Sequence, residues 1–376
     1  MRTALRGLIW PALLIAIAAA VYLRVGRQMT DFAVYRTAAA RALDAEPLYR
    51  AEDGHYQFKY LPAFAFAMAP FAKLDPEAAK TIWFALSVGL LTAYVRWSLR
   101  ALPERRRSDR VLMWLTIVLM AKFYLHELTL GQTNILLGTL LVAALLAVQI
   151  DHPLVAARLI SVAAFVKPYA LVLMPWLAFT YGLATVGVSL GVLAVGLLAP
   201  ALVYGWSGNL DLLVGWYRTI TTSTAPNLLG ADNVSLAAMW AKWLGPGSAA
   251  SALATASSVA SLGLVAAVWR RRLSVQIPDY LEFALLMLLV PLLSPQGWDY
   301  VLLLATPAVI CLMDRWGDVT SGWRIFTGAA LALMGLTIFD VMGRELYGEF
   351  MALSIVTVAA MATAGSLAHL RWRALA

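Results

Sequence analysis

A carboxylate, a phenol and a guanidinium lie close together in one stretch near the start of the chain. The sequence DFAVYRTAAARALDAEPLY begins at Asp31 and follows a first apolar segment, residues 8–23. Asp31 is therefore predicted to lie just beyond a membrane edge, with Tyr35 and Arg36 within two helical turns. A carboxylate at a water–lipid boundary suits proton abstraction beside an anionic headgroup. The alternative is that Asp31 only caps a helix beginning at Phe32.

A second group of polar residues lies near the end of the apolar segment 111–128. Lys122 and His126 are four residues apart, so they share one face of a helix. Together they are predicted to bind a phosphate, and the adjacent Glu127 is predicted to contact the sugar or acceptor. The alternative is that Lys122 extends toward the membrane surface and His126 caps the helix end.

The turn GQTN follows directly and offers amide groups suited to sugar hydroxyls, from Gln132 and Asn134. Its alternative interpretation is a tight turn followed by a cap. Lys167 and Pro168 separate two short apolar segments, 154–166 and 169–181. A lysine at this depth needs a partner or water, and broken helices are tolerated where they line a cavity. Lys167 is therefore predicted to bind an anionic lipid headgroup; a structural ion pair is the alternative.

Three further segments carry candidate binding residues. FKYLP supplies Lys59 for a phosphate and Tyr60 for a sugar or acceptor. SPQGWDY supplies an aromatic platform in Trp298 and a second carboxylate in Asp299, both predicted to contact sugar or acceptor. ADNVSLAAMW supplies Asn233 and Ser235, for which an Asn or Ser cap on the following helix is a strong alternative.

Several chemistries find no support in the sequence. It has no GxxxxGK[ST], no GxGxxG at a strand-to-helix turn, no Asp-x-Asp, no HExxH and no EF-hand loop. The four histidines lack metal-ligand spacing, and the single cysteine, Cys311, excludes an intramolecular disulfide and a zinc site built on cysteine pairs. We therefore expect a lipid-linked substrate and a mechanism without a metal or other cofactor.

The elements that position these residues are predicted to be transmembrane helices. Hydrophobic residues make up 61% of the 376 residues and charged residues 13%, which indicates an all-α polytopic membrane protein forming a single domain, 1–376. The first segment has a basic start and is interpreted as a retained signal anchor. Twelve spans are predicted, some short or broken: 8–23, 81–99, 111–128, 133–149, 154–166, 169–181, 183–204, 248–269, 280–293, 300–312, 325–341 and 351–370.

The positive charges predict the orientation. The net charge of +8 comes from arginines at the ends of apolar segments, including runs at 105–107 and 270–272, so it indicates topology and no nucleic acid partner. Both termini are predicted to be cytoplasmic, and most acidic residues then fall outside. Two long outer loops, 24–80 and 205–247, are expected to carry interfacial helices, and any chemistry is expected on that face.

In their order along the chain, DFAVYRTAAARALDAEPLY, FKYLP, LGQTNILLGTLL, AAFVKPYALVLMPWL, DNVSL and LLSPQGWDY resemble the bacterial family-87 glycosyltransferases. The resemblance covers most of the chain. It implies a GT-C membrane fold in a bacterial inner membrane and inverting transfer of a sugar, with mannose favoured, from polyprenyl phosphate to a lipid-linked or glycan hydroxyl outside the cytoplasm. It also implies that Asp31 is the general base, while the candidate cations for the departing phosphate are Lys167, Lys122, Lys59 and Arg36.

The chain departs from these relatives at one position. They often carry a histidine after the tryptophan of the SP-x-x-W motif, where Asp299 and Tyr300 stand here. This departure leaves the identity of the donor or acceptor open. These relatives also include arabinofuranosyl transferases, so an arabinofuranose donor is an alternative to mannose. Two other functions remain open at the level of sequence: a lipid or glycolipid transporter, whose broken helices also carry polar groups, and a non-catalytic envelope scaffold.

Overall fold

The computed structural model describes Tyr22, residues 29–275 and residues 278–373, so most of the predicted first span lies outside the described residues. Every regular element in the described part is helical. The α-helices are Thr30–Leu43, Pro62–Ala67, Ala69–Ala72, Pro76–Ala101, Asp109–Leu130, Asn134–Gln149, Pro153–Val166, Leu173–Tyr181, Ala184–Leu198, Ala201–Asn227, Leu236–Leu244, Ser248–Arg270, Asp279–Leu293, Thr306–Asp314, Ser321–Gly335, Phe339–Met342, Arg344–Ala352 and Ile355–Arg373. Short 3₁₀ helices occupy Ala51–Tyr56, Pro168–Val172, Arg272–Ser274, Asp299–Ala305 and Trp316–Asp318.

Several helices are suited to a membrane, which confirms the predicted class. In the described part, three are long and apolar enough to cross it: Pro76–Ala101, Asp109–Leu130 and Ser248–Ser274. Two bent pairs raise the number to five if each pair is one span; the first, residues 184–227, bends by 93° and the second, residues 344–373, by 56°. The prediction of twelve spans is not confirmed, because many apolar runs form helices too short to cross a bilayer alone.

A glycine turn brings the Asp109–Leu130 helix against the start of the Thr30–Leu43 helix. Gly131 ends the former in the left-handed conformation, with φ of 67°, which favours glycine. A Cβ at this position would lie 2.9 Å from Cβ of Phe32, so the close approach itself requires glycine. The backbone N–H of Met29 donates to the Thr129 carbonyl at 3.1 Å. Asp31 and Gln132 are thereby held at the same end of the bundle.

Different helices form the buried core and the exposed apolar surface. Nearly every residue of Asp279–Leu293 and Thr306–Asp314 is buried, as expected for helices surrounded by others. By contrast, large apolar side chains are exposed around the 93° bend, where Leu183 is 80% and Leu202 91% accessible. Such surface is compatible with acyl chains and not with water.

The two ends of the Asp109–Leu130 helix have different chemistry. Its 22 residues span about 33 Å. Its first turn follows the basic run 105–107, where a carboxylate oxygen of Asp314 accepts the backbone N–H groups of Arg106 and Arg107, each at 2.9 Å. Its last turn leads into Gly131 and Gln132. We call the end of the protein near the run 105–107 the basic end, and the end near Gln132 the Asp31 end.

The second predicted outer loop contains a long helix that approaches the first. The Ala201–Asn227 helix contains a break at Gly205, where φ is 69° and ψ 176°. Beyond the break, the indole N–H of Trp216 donates to the backbone carbonyl of Lys59 at 3.2 Å. This part of the chain therefore forms one side of the space above Asp31.

Candidate active site

A cavity of about 580 Å³ lies at the Asp31 end of the protein. Its walls come from the Thr30–Leu43 helix, the segment 55–60, the turn after Asp109–Leu130, the Lys167 break, the Ala201–Asn227 helix and the loop 294–300. Eight of the fourteen predicted site residues line it: Asp31, Tyr35, Lys59, Tyr60, His126, Gln132, Lys167 and Trp298.

Asp31 lies in the first turn of its helix and does not cap it. The helix begins at Thr30 after Met29, and no side chain caps its N-terminus. Instead Oδ2 of Asp31 accepts a hydrogen bond from Nε2 of Gln132 at 2.6 Å. The capping alternative for Asp31 is therefore wrong. Burial raises the pKa of Asp31 above its ordinary value, while the Gln132 hydrogen bond and the charges of Lys167 and Lys59 act in the opposite direction.

Gln132 is the centre of the polar network. Its carboxamide oxygen accepts hydrogen bonds and its carboxamide nitrogen donates them. Its oxygen accepts from the hydroxyl of Tyr35 at 3.1 Å, the hydroxyl of Tyr60 at 3.2 Å and Nζ of Lys167 at 3.2 Å. Its nitrogen donates to Asp31 and, at 3.2 Å, to the hydroxyl of Tyr300. The Asp31 carboxylate and the Lys167 ammonium are thus separated by a single carboxamide.

Lys167 is a buried cation that has no carboxylate beside it. It follows the Pro153–Val166 helix and is 8% exposed. Its ammonium lies 5.8 Å from the ring centroids of both Tyr60 and Tyr300, and no salt bridge to it occurs within the described residues. The ion-pair alternative is therefore not what the structure contains. An ammonium held by rings and an amide oxygen keeps its charge available for an anion.

Lys59 adds a second ammonium to the same cavity. Burial lowers the pKa of Lys59, and the nearby Asp31 carboxylate partly offsets this effect. Its main chain is fixed by the Trp216 hydrogen bond described above. Tyr60, the next residue, shares a 2.6 Å hydroxyl–hydroxyl hydrogen bond with Tyr35. Segment 58–62 therefore contributes both charge and hydroxyl groups.

A histidine reaches the cavity from the Asp109–Leu130 helix. Nδ1 of His126 lies 3.1 Å from Oδ1 of Asp299, and its ring packs edge-on against Tyr300 at 5.1 Å between centroids. Asp299 is 3% exposed and does not line the cavity, so it orients His126 and makes no direct contact there. A histidine from one helix and a carboxylate from the loop 294–300 therefore lie side by side at this side of the cavity.

The opposite wall of the cavity is formed by two paired loops. The N–H of Val234 donates to the carbonyl of Gly297 at 2.7 Å, and the N–H of Asp299 donates to the carbonyl of Asp232 at 2.8 Å. The pairing sets Asp232 and Trp298 on the same wall. Burial, and then the charge of Asp299, raise the pKa of Asp232.

Amide and hydroxyl groups continue this wall. Nε2 of Gln296 donates to Oγ1 of Thr224 at 2.9 Å and lies 3.3 Å from Oγ of Ser223. Sequence reasoning did not select these residues, nor Asp232, Trp216 or Tyr300. The available signal was that they stand in the same loops as selected residues, since Asp232 precedes Asn233 and Tyr300 follows Asp299.

Two predicted phosphate ligands do not reach the cavity. Nζ of Lys122 donates to the carbonyl of Thr337 at 3.1 Å, because its position on the helix directs it toward a neighbouring helix. The guanidinium of Arg36 donates to the carbonyls of Phe71 and Leu74, at 3.2 and 2.8 Å. Both side chains stabilise the ends of helices, and neither lines the cavity.

Three predicted sugar or acceptor contacts also have structural roles. Glu127 is 1% exposed and accepts from Nδ2 of Asn134 at 2.8 Å and from the N–H of Ile135 at 3.0 Å. These contacts secure the start of the Asn134–Gln149 helix. Nδ2 of Asn233 donates to the backbone carbonyl of Pro295 at 3.1 Å. Of the GQTN turn, only Gln132 lines the cavity. The rest forms a turn, as the alternative predicted, but no side chain of the turn caps the helix that follows.

A family comparison assigns the chain. The family model for glycosyltransferase family 87 matches residues 58–295, well over half of the sequence. The chain belongs to glycosyltransferase family 87. The matched region includes Lys59, Gln132 and Lys167, whereas Asp31 and Tyr300 lie outside it. No curated protein and no solved structure matches the chain.

Family membership supports glycosyl transfer as the activity class of this membrane protein. The geometry is compatible with that class, since a carboxylate, cations and hydroxyl-binding groups share one cavity. Such a site can accept a proton from a nucleophile and stabilise a departing anion at the same time.

Proposed function

We propose that this family-87 member is an inverting glycosyltransferase that moves a sugar from a polyprenyl-phosphate donor to a hydroxyl of a lipid-linked or glycan acceptor. Mannose is the favoured sugar. The observation that carries the proposal is the arrangement Asp31–Gln132–Lys167, in which one carboxamide separates a base from a cation inside a cavity.

In the proposed reaction, Asp31 acts as the general base. The acceptor hydroxyl attacks the anomeric carbon, and its proton passes to the Asp31 carboxylate as the new C–O bond forms. The bond between the anomeric carbon and the phosphate oxygen breaks, and polyprenyl phosphate leaves with the electron pair. Attack from the side opposite the leaving group inverts the anomeric configuration. Gln132 holds Asp31 in the orientation needed for the attack.

Positive charge is required where the phosphate leaves. Lys167 and Lys59 line the cavity and supply this charge, whereas His126 lies beside Asp299 on the opposite wall. Preorganised cations in a site shielded from water stabilise a developing anion more than they would in bulk solvent. In this scheme Tyr35, Tyr60 and Tyr300 keep Gln132 and Lys167 in place.

The opposite wall fits a neutral polyol. Trp298 provides an aromatic face, and Asp232, Gln296 and Thr224 provide acceptors and donors for hydroxyl groups. The carboxylates of Asp232 and Asp299 disfavour a phosphate on this side. We therefore assign this wall to a sugar ring and the Lys167 side to the phosphate.

The active site is proposed to face away from the cytoplasm. The basic end and the Asp31 end lie at opposite ends of a helix about 33 Å long, which matches a bilayer's hydrocarbon thickness. Arginine-rich loops favour the cytoplasmic side. The Asp31 cavity then opens on the extracytoplasmic surface of a bacterial inner membrane.

The test is a transfer assay on the purified protein with a panel of polyprenyl-phosphate sugars, including mannose and arabinofuranose donors, and products identified by mass spectrometry. We expect Asp31→Asn to lower kcat by about 10²–10⁴-fold, because the proton acceptor is lost, while donor binding persists. Asp44→Asn is the matched control, since Asp44 is an exposed carboxylate at the other end of the same helix.

Full activity of Asp31→Asn would remove Asp31 as the base. Transport of a glycolipid across liposomes by the wild-type protein, without a glycosidic product from any donor, would reject the transferase.

A further inference from the structure

A second cavity, of about 670 Å³, lies at the basic end of the protein. Its walls come from the residues after the Pro76–Ala101 helix, from the Thr306–Asp314 helix and the turn that follows it, and from the end of Ile355–Arg373. Since these elements end at the basic end of the bundle, this cavity is separated from the Asp31 cavity by about the length of a spanning helix. The proposed glycosyl transfer does not use it.

The lining of this cavity combines positive charge with apolar surface. Four arginines and two carboxylates line it: Arg106, Arg315, Arg371, Arg373, Glu104 and Asp318. Between them lie Leu102, Leu281 and Leu370. Binding sites for free inorganic anions do not need such apolar walls, whereas an amphipathic ligand does.

Two buried donors on this lining have no acceptor among the described residues. They are the hydroxyl of Tyr280 and Nη1 of Arg371, on side chains that are 1% and 2% exposed. The other nitrogen of the guanidinium, Nη2, donates to the Pro278 carbonyl at 2.8 Å and lies 3.5 Å from Oε1 of Glu282. Leaving a buried donor unpaired costs about 1–3 kcal/mol, and more for a charged group. Oxygen atoms of a bound ligand would satisfy both donors.

The remaining arginines are partly engaged by protein groups. Arg106 pairs with Asp318, and Nη2 of Arg315 donates to the carbonyl of Pro103 at 3.1 Å. Nε of Arg315 lies 3.6 Å from Asp314. Each guanidinium has five N–H donors, so these contacts leave donors free. Guanidinium groups bind phosphate oxygens in a bidentate manner more readily than ammonium groups do.

We propose that the basic-end cavity binds the phosphate headgroup of an anionic phospholipid. The phosphate oxygens accept from Arg371 and Tyr280, while Arg106 and Arg373 neutralise the headgroup charge. The apolar residues contact the glycerol and the first methylene groups. Basic pockets between helix ends on the cytoplasmic side are suited to such lipids. The bound lipid stabilises the packing of the Ile355–Arg373 helix against Asp279–Leu293.

The test measures lipid-dependent stability of the full-length protein after delipidation in detergent. Phosphatidylglycerol, phosphatidylcholine and inorganic phosphate are titrated separately, and the unfolding temperature is recorded. We expect a saturable increase with phosphatidylglycerol alone. A similar increase with phosphatidylcholine would overturn the proposal. An equal increase with inorganic phosphate at the same concentration would identify a free-phosphate site and reject the lipid.

Substitutions of lining residues test whether the stabilisation by phosphatidylglycerol arises at the basic-end cavity. Arg371→Gln and Arg106→Gln are expected to raise the phosphatidylglycerol concentration for half-maximal stabilisation by about tenfold or more. Arg107→Gln is the control, because Arg107 belongs to the same basic run and does not line the cavity. Should Arg371→Gln fail to fold, Arg106→Gln and Tyr280→Phe carry the test. Wild-type lipid response in both of these variants would refute the site, whatever the result of the transfer assay.

Discussion

Replacing Gln132 by glutamate gives a direct test of the base and cation arrangement. The new carboxylate keeps oxygens that accept from Tyr35, Tyr60 and Lys167. It loses the N–H that donates to Asp31, and a carboxylate oxygen then stands where a 2.6 Å hydrogen bond was. Because Lys167 stabilises the new charge, Asp31 is the member of the pair expected to hold the shared proton.

The size of the effect follows from the distance. Two unit charges 2.6 Å apart repel by about 6 kcal/mol at an effective dielectric constant of about 20. That energy corresponds to about four pKa units, and relaxation of the partly exposed Asp31 side chain reduces it. We expect the pKa of Asp31 to rise by about two units or more. Since a general base must be deprotonated, activity is then lost at a higher pH as the solution is acidified.

The assay is the pH dependence of kcat/KM for Gln132→Glu beside the wild type. The acidic limb is expected to move upward by about two pH units or more, with a tenfold loss per unit below it. Gln57→Glu is the control, because Gln57 lines the same cavity and its amide donates to the Arg50 carbonyl, not to Asp31. An unshifted acidic limb in Gln132→Glu, or an equal shift in Gln57→Glu, would refute the coupling of Gln132 to the base.

Three other substitutions test the surroundings of the site. Gly131→Ala should lower the unfolding temperature and activity, at a cost of about 1–3 kcal/mol from strain at positive φ and contact with the neighbouring helix, and unchanged values of both would contradict this. Glu127→Ala should destabilise more than Glu127→Gln, which keeps an acceptor for the helix start, and thermal inactivation in detergent would show the reverse order if this is incorrect. Tyr300→Phe should reduce kcat/KM by about tenfold through loss of its hydroxyl beside Gln132, and an unchanged value would show that the ring alone suffices.

The sequence predicted which kinds of side chain line the cavity better than it predicted which individual residues do. Lys167 could be selected because a polar residue at membrane depth is costly, and Asp31 and Gln132 because they stand at the ends of apolar segments. Their mutual contact could not be predicted, since it depends on the left-handed turn at Gly131 and on the break after Val166. A single sequence gives no direct measure of such long-range geometry.

One physical cause explains why some predicted site residues do not line the cavity. Lys122 and Glu127 were selected because of their depth and neighbours, yet the side to which each points depends on helix rotation. Lys122 faces Thr337 and Glu127 faces the next helix start. A helix period of 3.6 residues identifies a shared face but not what that face meets. Asp299 was missed as a positioning group for His126 for the same reason.

The span count shows a different limit. Apolar runs of 13 to 17 residues were counted as crossings, although helices such as Pro153–Val166 end before they could traverse a bilayer. Apolar composition indicates burial in either lipid or protein, and the Asp279–Leu293 helix is surrounded by protein. The all-α class is robust to this ambiguity, but the number of crossings is not.

The five side chains hydrogen-bonded to the Gln132 amide come from distant parts of the chain, with Asp31 translated early and Tyr300 late. A ribosome therefore releases the Asp31 carboxylate long before Tyr300 and the Trp298 loop emerge. The polar network around Gln132 stays incomplete until that loop has folded against it. Under the proposed function, a nascent chain would lack the finished site until that point.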